Sequence, residues 1–246
     1  MNQNSRKIIC LIPARRGSQG LRHKNLRRVG LYTITHKAIK VARKIDRPVY
    51  IVLSTDDTRI IRRYSRKVDL VIHRDPQLST SESPITLVIL DALKRIEHLS
   101  GDDLLLLLEP SSPNRNINDV NKIIEKMINE DCGAIATISL IDSKFHPYKL
   151  LKTNDNHNLV PWDSDSPSIV NRQQIKSKVY YRNGIAYMYR IRIAQELTST
   201  LPINTKFIVT DRRVANIDNE IDLWMARYLN LKMNINKLLY KSLPNL

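Results

Sequence analysis

The sequence predicts an α/β fold, a mainly parallel central sheet flanked by helices. Three observations carry this. Short apolar runs alternate with stripes of helical spacing as far as Ser139. The connections between them are short, as in βαβ units. Residues 104–108 are leucine throughout, as expected of a central strand covered on both faces.

The elements follow in order. Residues 7–12 form a first strand, and Ile34, Ala38, Ile39, Ala42 and Ile45 mark a helix over 34–45. A strand at 49–53 leads to a short helix over 57–66, and a third strand covers 68–72. Ser83 and Pro84 open the next helix, with serine as N-cap and proline at the first helical position. After 104–108 come a helix over 118–129 and a strand at 134–139. Residues 142–182 break the rhythm and are rich in Asn, Asp, Ser, Lys and Pro. A segment of that length is expected to be a lid or a protruding arm. The sheet resumes at 185–189 and 207–210. Asn219 caps a last helix whose core stripe is Ile221, Trp224, Met225 and Tyr228, with a weaker helix after 233. The whole is read as one domain over 1–246, with 142–182 inserted in it.

The 246 residues are 42% hydrophobic and 26% charged, which excludes a chain disordered throughout. No apolar run reaches the ~18 residues of a membrane-spanning helix. The first residues predict no secretory signal, so a cytoplasmic protein is expected. Cys10 and Cys132 sit in apolar contexts and read as buried thiols. His36, His73, His98 and His157 show no metal-ligand spacing, and no serine has a recognisable His/Asp partner.

Net charge is +16, unevenly spread: residues 1–74 hold 19 Lys/Arg against 4 Asp/Glu, and the rest is nearly balanced. The excess surrounds one loop, Ile12-Pro13-Ala14-Arg15-Arg16-Gly17-Ser18-Gln19-Gly20-Leu21-Arg22-His23-Lys24-Asn25. The loop follows the first strand, and ligands of open α/β sheets bind at the carboxyl ends of strands. Gly17 and Gly20 allow a tight turn that brings N–H groups near an anion. Arg15 and Lys24 add full charges suited to phosphate oxygens. The loop is neither a Walker motif nor the three-glycine dinucleotide fingerprint.

This loop resembles the opening signature of the CMP-sialic acid synthetase (acylneuraminate cytidylyltransferase) family, I-P-A-R-x-x-S-K-G-L-x-x-K-N. The resemblance continues in register. Ser54-Thr55-Asp56-Asp57 is similar to its S-T-D, and Arg74-Asp75-Pro76-Gln77-Leu78 to its R-P-x-x-L. Leu107-Leu108-Glu109-Pro110-Ser111-Ser112-Pro113-Asn114-Arg115 is similar to L-L-Q-P-T-S-P-x-R. His146-Pro147-Tyr148-Lys149, Asn171-Arg172-Gln173, Asn183-Gly184-Ile185-Ala186-Tyr187 and the run from Val214 to Leu223 match later family segments.

The resemblance implies a Rossmann-like nucleotidyltransferase fold and a homodimer paired through the excursion. It implies an enzyme that joins CTP to a 2-keto-3-deoxy sugar acid with Mg²⁺, releasing pyrophosphate. It places Arg15, Gly17, Ser18, Gly20, Lys24, Asn25 and Ser83 at the nucleotide, with Arg15, Lys24 and Asp218 catalytic. Asp218 and Asn216 fall at the metal. Glu109, Lys149, Arg172, Gln173, Asn183 and Tyr187 fall at the sugar. Four positions depart from the pattern: Gln19 for lysine, Glu109 for glutamine, Gln174 for an acid and Asn216 for aspartate. Arg16 and Arg22 stand ready to restore the charge missing at Gln19. The departures keep a second function class open: a nucleotide- or polyanion-binding protein on the same scaffold without catalysis. An RNA-binding module rests on charge alone, since aromatics are 6% and no RNA motif is visible.

Overall fold

The computed structural model describes residues 6–163 and 177–242, with side chains as far as 235. Its elements are β1 (Ile8–Pro13), β2 (Arg28–Val29), β3 (Tyr32–Thr33), α1 (Ile34–Ala42), β4 (Val49–Thr55), α2 (Thr58–Tyr64) and β5 (Leu70–His73). There follow α3 (Ile85–Lys94), β6 (Leu104–Leu107), α4 (Ile117–Asn129), β7 (Ala134–Leu140), β8 (Leu151–Thr153) and β9 (Leu159–Pro161). The chain closes with β10 (Tyr180–Arg190), α5 (Ile191–Ala194), β11 (Lys206–Val209) and α6 (Glu220–Ser242).

Seven strands form one sheet in the order β11-β7-β10-β6-β1-β4-β5. β1 lies parallel to both β4 and β6, β4 to β5, and β7 to β11. β10 alone runs antiparallel, against β6 and β7. The alternation of β1 explains the layering. Cys10 and Ile12 face α1, α2 and α4 through Ile39, Ile60 and Ile123. Ile9 and Leu11 face α3 and α5 through Ile89, Leu93 and Ile191. All four leucines of β6 are fully buried, as its lack of polar residues requires. Both cysteines are free and buried.

Several boundaries differ from the sequence pattern, each for a physical reason. α3 begins at Ile85, with Pro84 in extended conformation as its N-cap. The Ser83 hydroxyl does not cap it. It donates to the Gln77 carbonyl at 2.7 Å and meets Thr80 Oγ1 at 2.7 Å, so a local turn takes the group a cap would use. The excursion ends sooner than 182, because Tyr180, Tyr181 and Arg182 already pair with Leu140, Ser139 and Ile138. Within it, β8 and β9 form a separate two-stranded hairpin.

The stripe expected to bury α6 points outward. Ile221, Trp224, Met225 and Tyr228 are exposed, whereas Leu223 and Ala226 are buried with Leu21, Val29, Ile34 and Ile217. Two stripes of helical spacing share this helix, and the smaller one fits against the short hairpin β2–β3. Asn219 does cap α6: its Oδ1 accepts from Asp222 N, and Asp222 Oδ2 accepts from Asn219 N. The helix runs on without a break at 233.

Candidate active site

The loop after β1 is fixed at three points. Ala14 N–H donates to the Ser54 carbonyl and extends the ladder one residue beyond β1. Arg16 N–H donates to Asp56 Oδ1 at 2.7 Å, beyond the end of β4. Asn25 is buried; its Nδ2 donates to the Arg15 carbonyl at 2.8 Å, and its own carbonyl accepts from Thr35 Oγ1. Asn25 therefore holds the loop shape. Asp57, which follows Asp56 in the chain, caps α2 by accepting from Arg59 N.

The loop closes on residues from the far end of the chain. Lys24 Nζ donates to the Ile217 carbonyl at 2.8 Å and to Asp218 Oδ1 at 3.1 Å. Ile217 N–H donates to the Ser111 carbonyl at 2.8 Å, tying this segment to the loop after β6. Gly20 is in contact with the Asp218 backbone: a Cβ there would sit 2.3 Å from the Asp218 carbonyl oxygen. Only a residue without a side chain fits. A Cβ on Gly17 would meet nothing within 4 Å.

Arg15, Ser18, Lys24, Asn25, Ser83 and Glu109 line one cavity of about 190 Å³, with Arg74, Ser81 and Ser111. Ser18 also lines an adjoining depression of about 390 Å³, shared with Gly17, Arg22 and Asp56. Both open at the carboxyl ends of β1, β4 and β6. A larger cavity, about 810 Å³, opens at the amino-terminal ends of the same strands, around Ile8, Val49, Leu70 and Leu104. None of the residues expected at the nucleotide or sugar lines it.

The cations of the cleft are not equivalent. Arg74 is buried and committed, with Nε on Ser54 Oγ at 3.1 Å and Nη2 on the Ser54 carbonyl at 2.8 Å. Burial lowers its pKa to about 10. Lys24 is committed to the closing segment. The Arg15 guanidinium makes no hydrogen bond or ion pair among the described residues, so its five donors are available to a ligand.

Glu109 ends the β6 run at the cavity wall. Desolvation pushes its carboxyl pKa up, and Asp218 adds to this; Arg115 and Lys24 oppose it. A carboxyl so raised is more readily neutral, and a neutral carboxyl donates and accepts much as a glutamine amide does. Arg115 underpins this corner. Its Nε donates to the Ile185 carbonyl at 2.9 Å and its Nη2 to the Glu109 carbonyl at 2.5 Å.

The residues expected at the sugar do not converge in the same way. Asn183 is buried, and its side chain is fully engaged within the sheet. Oδ1 accepts from Thr137 Oγ1 at 2.7 Å and from Ile185 N at 3.1 Å, and Nδ2 donates to Ser139 Oγ at 3.0 Å. It holds the irregularity of β10 beside Gly184, where φ is +67°. Tyr187 lies in the core, close enough to Glu109 for that carboxylate to help raise its phenol to about 12, after burial. Lys149 is exposed on a short turn at Pro147–Lys149. Arg172, Gln173 and Gln174 lie outside the described residues. Asn216 is exposed next to Gly184, and Asp218 is at the mouth of the cleft.

Sequence reasoning assigned no role to Arg74 or Arg115. Both stood inside a quoted motif, and a charged residue directly after a buried strand is the signal that could have found Arg74.

A mainly parallel sheet with a cationic loop at the carboxyl ends of its strands defines the class: an open α/β protein with the arrangement in which such folds hold phosphates. The family described as cytidylyltransferase matches residues 9–240, and the chain belongs to it. It is 27% identical over 236 residues to a CMP-N,N'-diacetyllegionaminic acid synthase of Campylobacter jejuni, covering 94% of this chain and 97% of that protein. It is 26% identical to post-translational flagellin modification protein B of Campylobacter coli, covering 93% and 97%. It is 24% identical to a pseudaminic acid cytidylyltransferase of Campylobacter jejuni, covering 91% and 96%. Its fold is that of a CMP:2-keto-3-deoxy-manno-octonic acid synthetase complexed with CTP, with TM-score 0.68, 18% identity and coverage of 92% and 99%.

Proposed function

We propose that this cytidylyltransferase activates a 2-keto-3-deoxy sugar acid of the sialic, legionaminic or pseudaminic kind, giving a CMP-sugar and pyrophosphate from CTP. One observation carries the reading: Arg15, Lys24 and Glu109 line one cleft, whose mouth Asp218 closes. Relatives named for the legionaminic and pseudaminic acid reactions support the substrate class.

The anomeric hydroxyl attacks the α-phosphorus, the bond from that phosphorus to the bridging oxygen breaks, and pyrophosphate departs. Negative charge shifts onto the leaving phosphates, so preorganised cations do most of the work. Arg15, uncommitted, grips phosphate oxygens with its planar fork. Lys24, held at its carbonyl partner Ile217, trades Asp218 for a phosphate oxygen. Freed of Lys24, the Asp218 carboxylate would be available to hold Mg²⁺, as would the Asn216 amide two residues before it. One carboxylate and one amide oxygen would suit a metal held chiefly by the triphosphate and its own waters, and such a metal would neutralise phosphate charge. Glu109, shifted toward its neutral form, faces the anionic sugar with less repulsion than an ordinary glutamate.

Other parts of the reading rest on lighter support. Phe145, Leu151, Leu159 and Trp162 are exposed on the excursion, which suits a dimer paired through that arm. No helix among the described residues is long and apolar enough to cross a membrane. Two free thiols and a need for CTP suit the cytoplasm.

The test is pyrophosphate release with Mg²⁺ from a panel of nucleotides and sugar acids. Turnover is expected with CTP and a nine-carbon acid. If no pair turns over while CTP still binds, the non-catalytic reading replaces this one.

A further inference from the structure

The side of α6 that the fold leaves uncovered is apolar along most of its length. Ile221, Trp224, Met225, Tyr228, Leu231 and Ile235 are all exposed, Ile221 at 77% and Trp224 at 62%. They recur three and four residues apart, so they share one face, about 21 Å long by the rise of an α-helix. Ile221, Trp224, Tyr228, Leu231 and Ile235 follow a strict 3-4-3-4 order, the seam of a two-helix coiled coil. The opposite face of α6 is occupied inside the molecule. Leu223 and Ala226 are buried, the Ala226 carbonyl accepts from Asn114 Nδ2 at 3.0 Å, and Asn230 Oδ1 accepts from Lys37 Nζ.

Area and charge say what covers this face. Apolar side chains exposed singly are ordinary, but a continuous stripe is not. At these exposures the six leave on the order of 700 Å² open, more than the ~300–600 Å² of the largest patch on a typical monomer. A standard interface buries about 800 Å² on each partner, so this stripe comes close to what one stable contact needs. Glu220 opens the helix, whereas Arg227 and Lys232 lie further along it. Two copies of α6 set side by side in opposite directions bring the acidic start of one near the basic half of the other and oppose their macrodipoles. The same direction would set like charge beside like. Complete antiparallel overlap puts the two-fold axis at the middle of the stripe, which is Tyr228, and sets Ile221 against Ile235 of the partner subunit.

We infer that α6 pairs with α6 of a second copy of this chain, antiparallel, about an axis at Tyr228. The contact is isologous: the same stripe covers itself. It is separate from the arm that carries Phe145, Leu151, Leu159 and Trp162, and it needs nothing from the proposed reaction. It does touch the site in one respect. α6 begins two residues after Asp218, so pairing steadies the segment that holds Lys24.

The experiment is analytical sedimentation of the full chain, the parent against Trp224→Glu/Leu231→Glu. The parent is expected to sediment at two copies or more, and the variant at half the parent's mass. Trp224→Lys/Leu231→Lys is expected to behave alike, which ties the loss to the apolar face and not to one sign of charge. Both side chains are exposed, so their replacement leaves the fold intact, which far-UV circular dichroism checks. Register is read by mild oxidation of cysteine variants. Tyr228→Cys should link to itself, Ile221→Cys should not, and Ile221→Cys mixed with Ile235→Cys should. Cys10 and Cys132 are buried and do not compete. A parent that sediments as one copy overturns the inference, and so does either charged variant keeping the parent's mass. Ile221→Cys linking to itself overturns the antiparallel arrangement. No turnover is read, so failure here is separate from failure of the proposed reaction.

Discussion

The residues expected at the nucleotide and those expected at the sugar are placed differently. Of the first group, Arg15, Ser18, Lys24, Asn25 and Ser83 share one cavity, with Asp218 paired to Lys24. Of the second, Asn183 is consumed by the sheet, Tyr187 by the core, and Lys149 stands exposed on a turn. A phosphate site can be made from one loop and the strand ends beside it, so its motif is local.

The sharpest way to break this contrast is to remove the phosphate charges. Lys24→Ala or Arg15→Ala is expected to cut turnover by about 10²–10³-fold, the scale of one preorganised electrostatic donor. Steady-state pyrophosphate release checks it, and equal activity with both removed would place the chemistry elsewhere. Next in size is Gly20→Ala against Gly17→Ala. The first forces the Asp218 carbonyl away and should cost about 1–3 kcal/mol of stability, with a turnover loss near 10²-fold. The second meets open space and should leave melting temperature and turnover nearly unchanged.

Asn183→Ala tests the other side. It strands Thr137 and Ser139 in the sheet and should cost about 1–3 kcal/mol in denaturant unfolding. The KM for the sugar acid should stay close to the parent's. A large KM rise with unchanged stability would return Asn183 to the substrate.

The smallest expected effect is at Glu109. Its pKa is raised in the folded chain, so the folded state holds that proton more tightly than the unfolded one. Stability is therefore lost as pH rises from the unfolded pKa through the folded one, and stays lower above it. Glu109→Gln removes this loss. The variant should melt higher than the parent at pH 7, with the advantage vanishing below the usual carboxylate range. Melting curves from pH 4 to 8 measure it, and a constant difference would show that Lys24 and Arg115 fully compensate the charge.

Much of the fold was legible because each buried strand announces itself. The four leucines of β6 admit no other placement, and the stripes of α1, α3 and α4 each have a single apolar face. α6 was misread because it carries two faces, and the bulkier one lost to Leu223 and Ala226. The antiparallel run of β10 was not legible either, because alternation fixes which face a residue takes but not strand direction. The motifs singled out Arg15 and Lys24, and both line one cavity. No motif could say that Asn25 holds the Arg15 carbonyl while Arg15 itself stays free.

The contact between Gly20 and Asp218 also sets an order of events during synthesis. The backbone that the loop after β1 leans on is made nearly 200 residues after the loop itself. Until residue 218 has emerged, Lys24 lacks both of its partners and the loop lacks its backstop. Contacts of such long sequence separation form late and slowly. A nascent chain that stops short of residue 218 can thus acquire its sheet and still lack the contacts that fix the loop after β1.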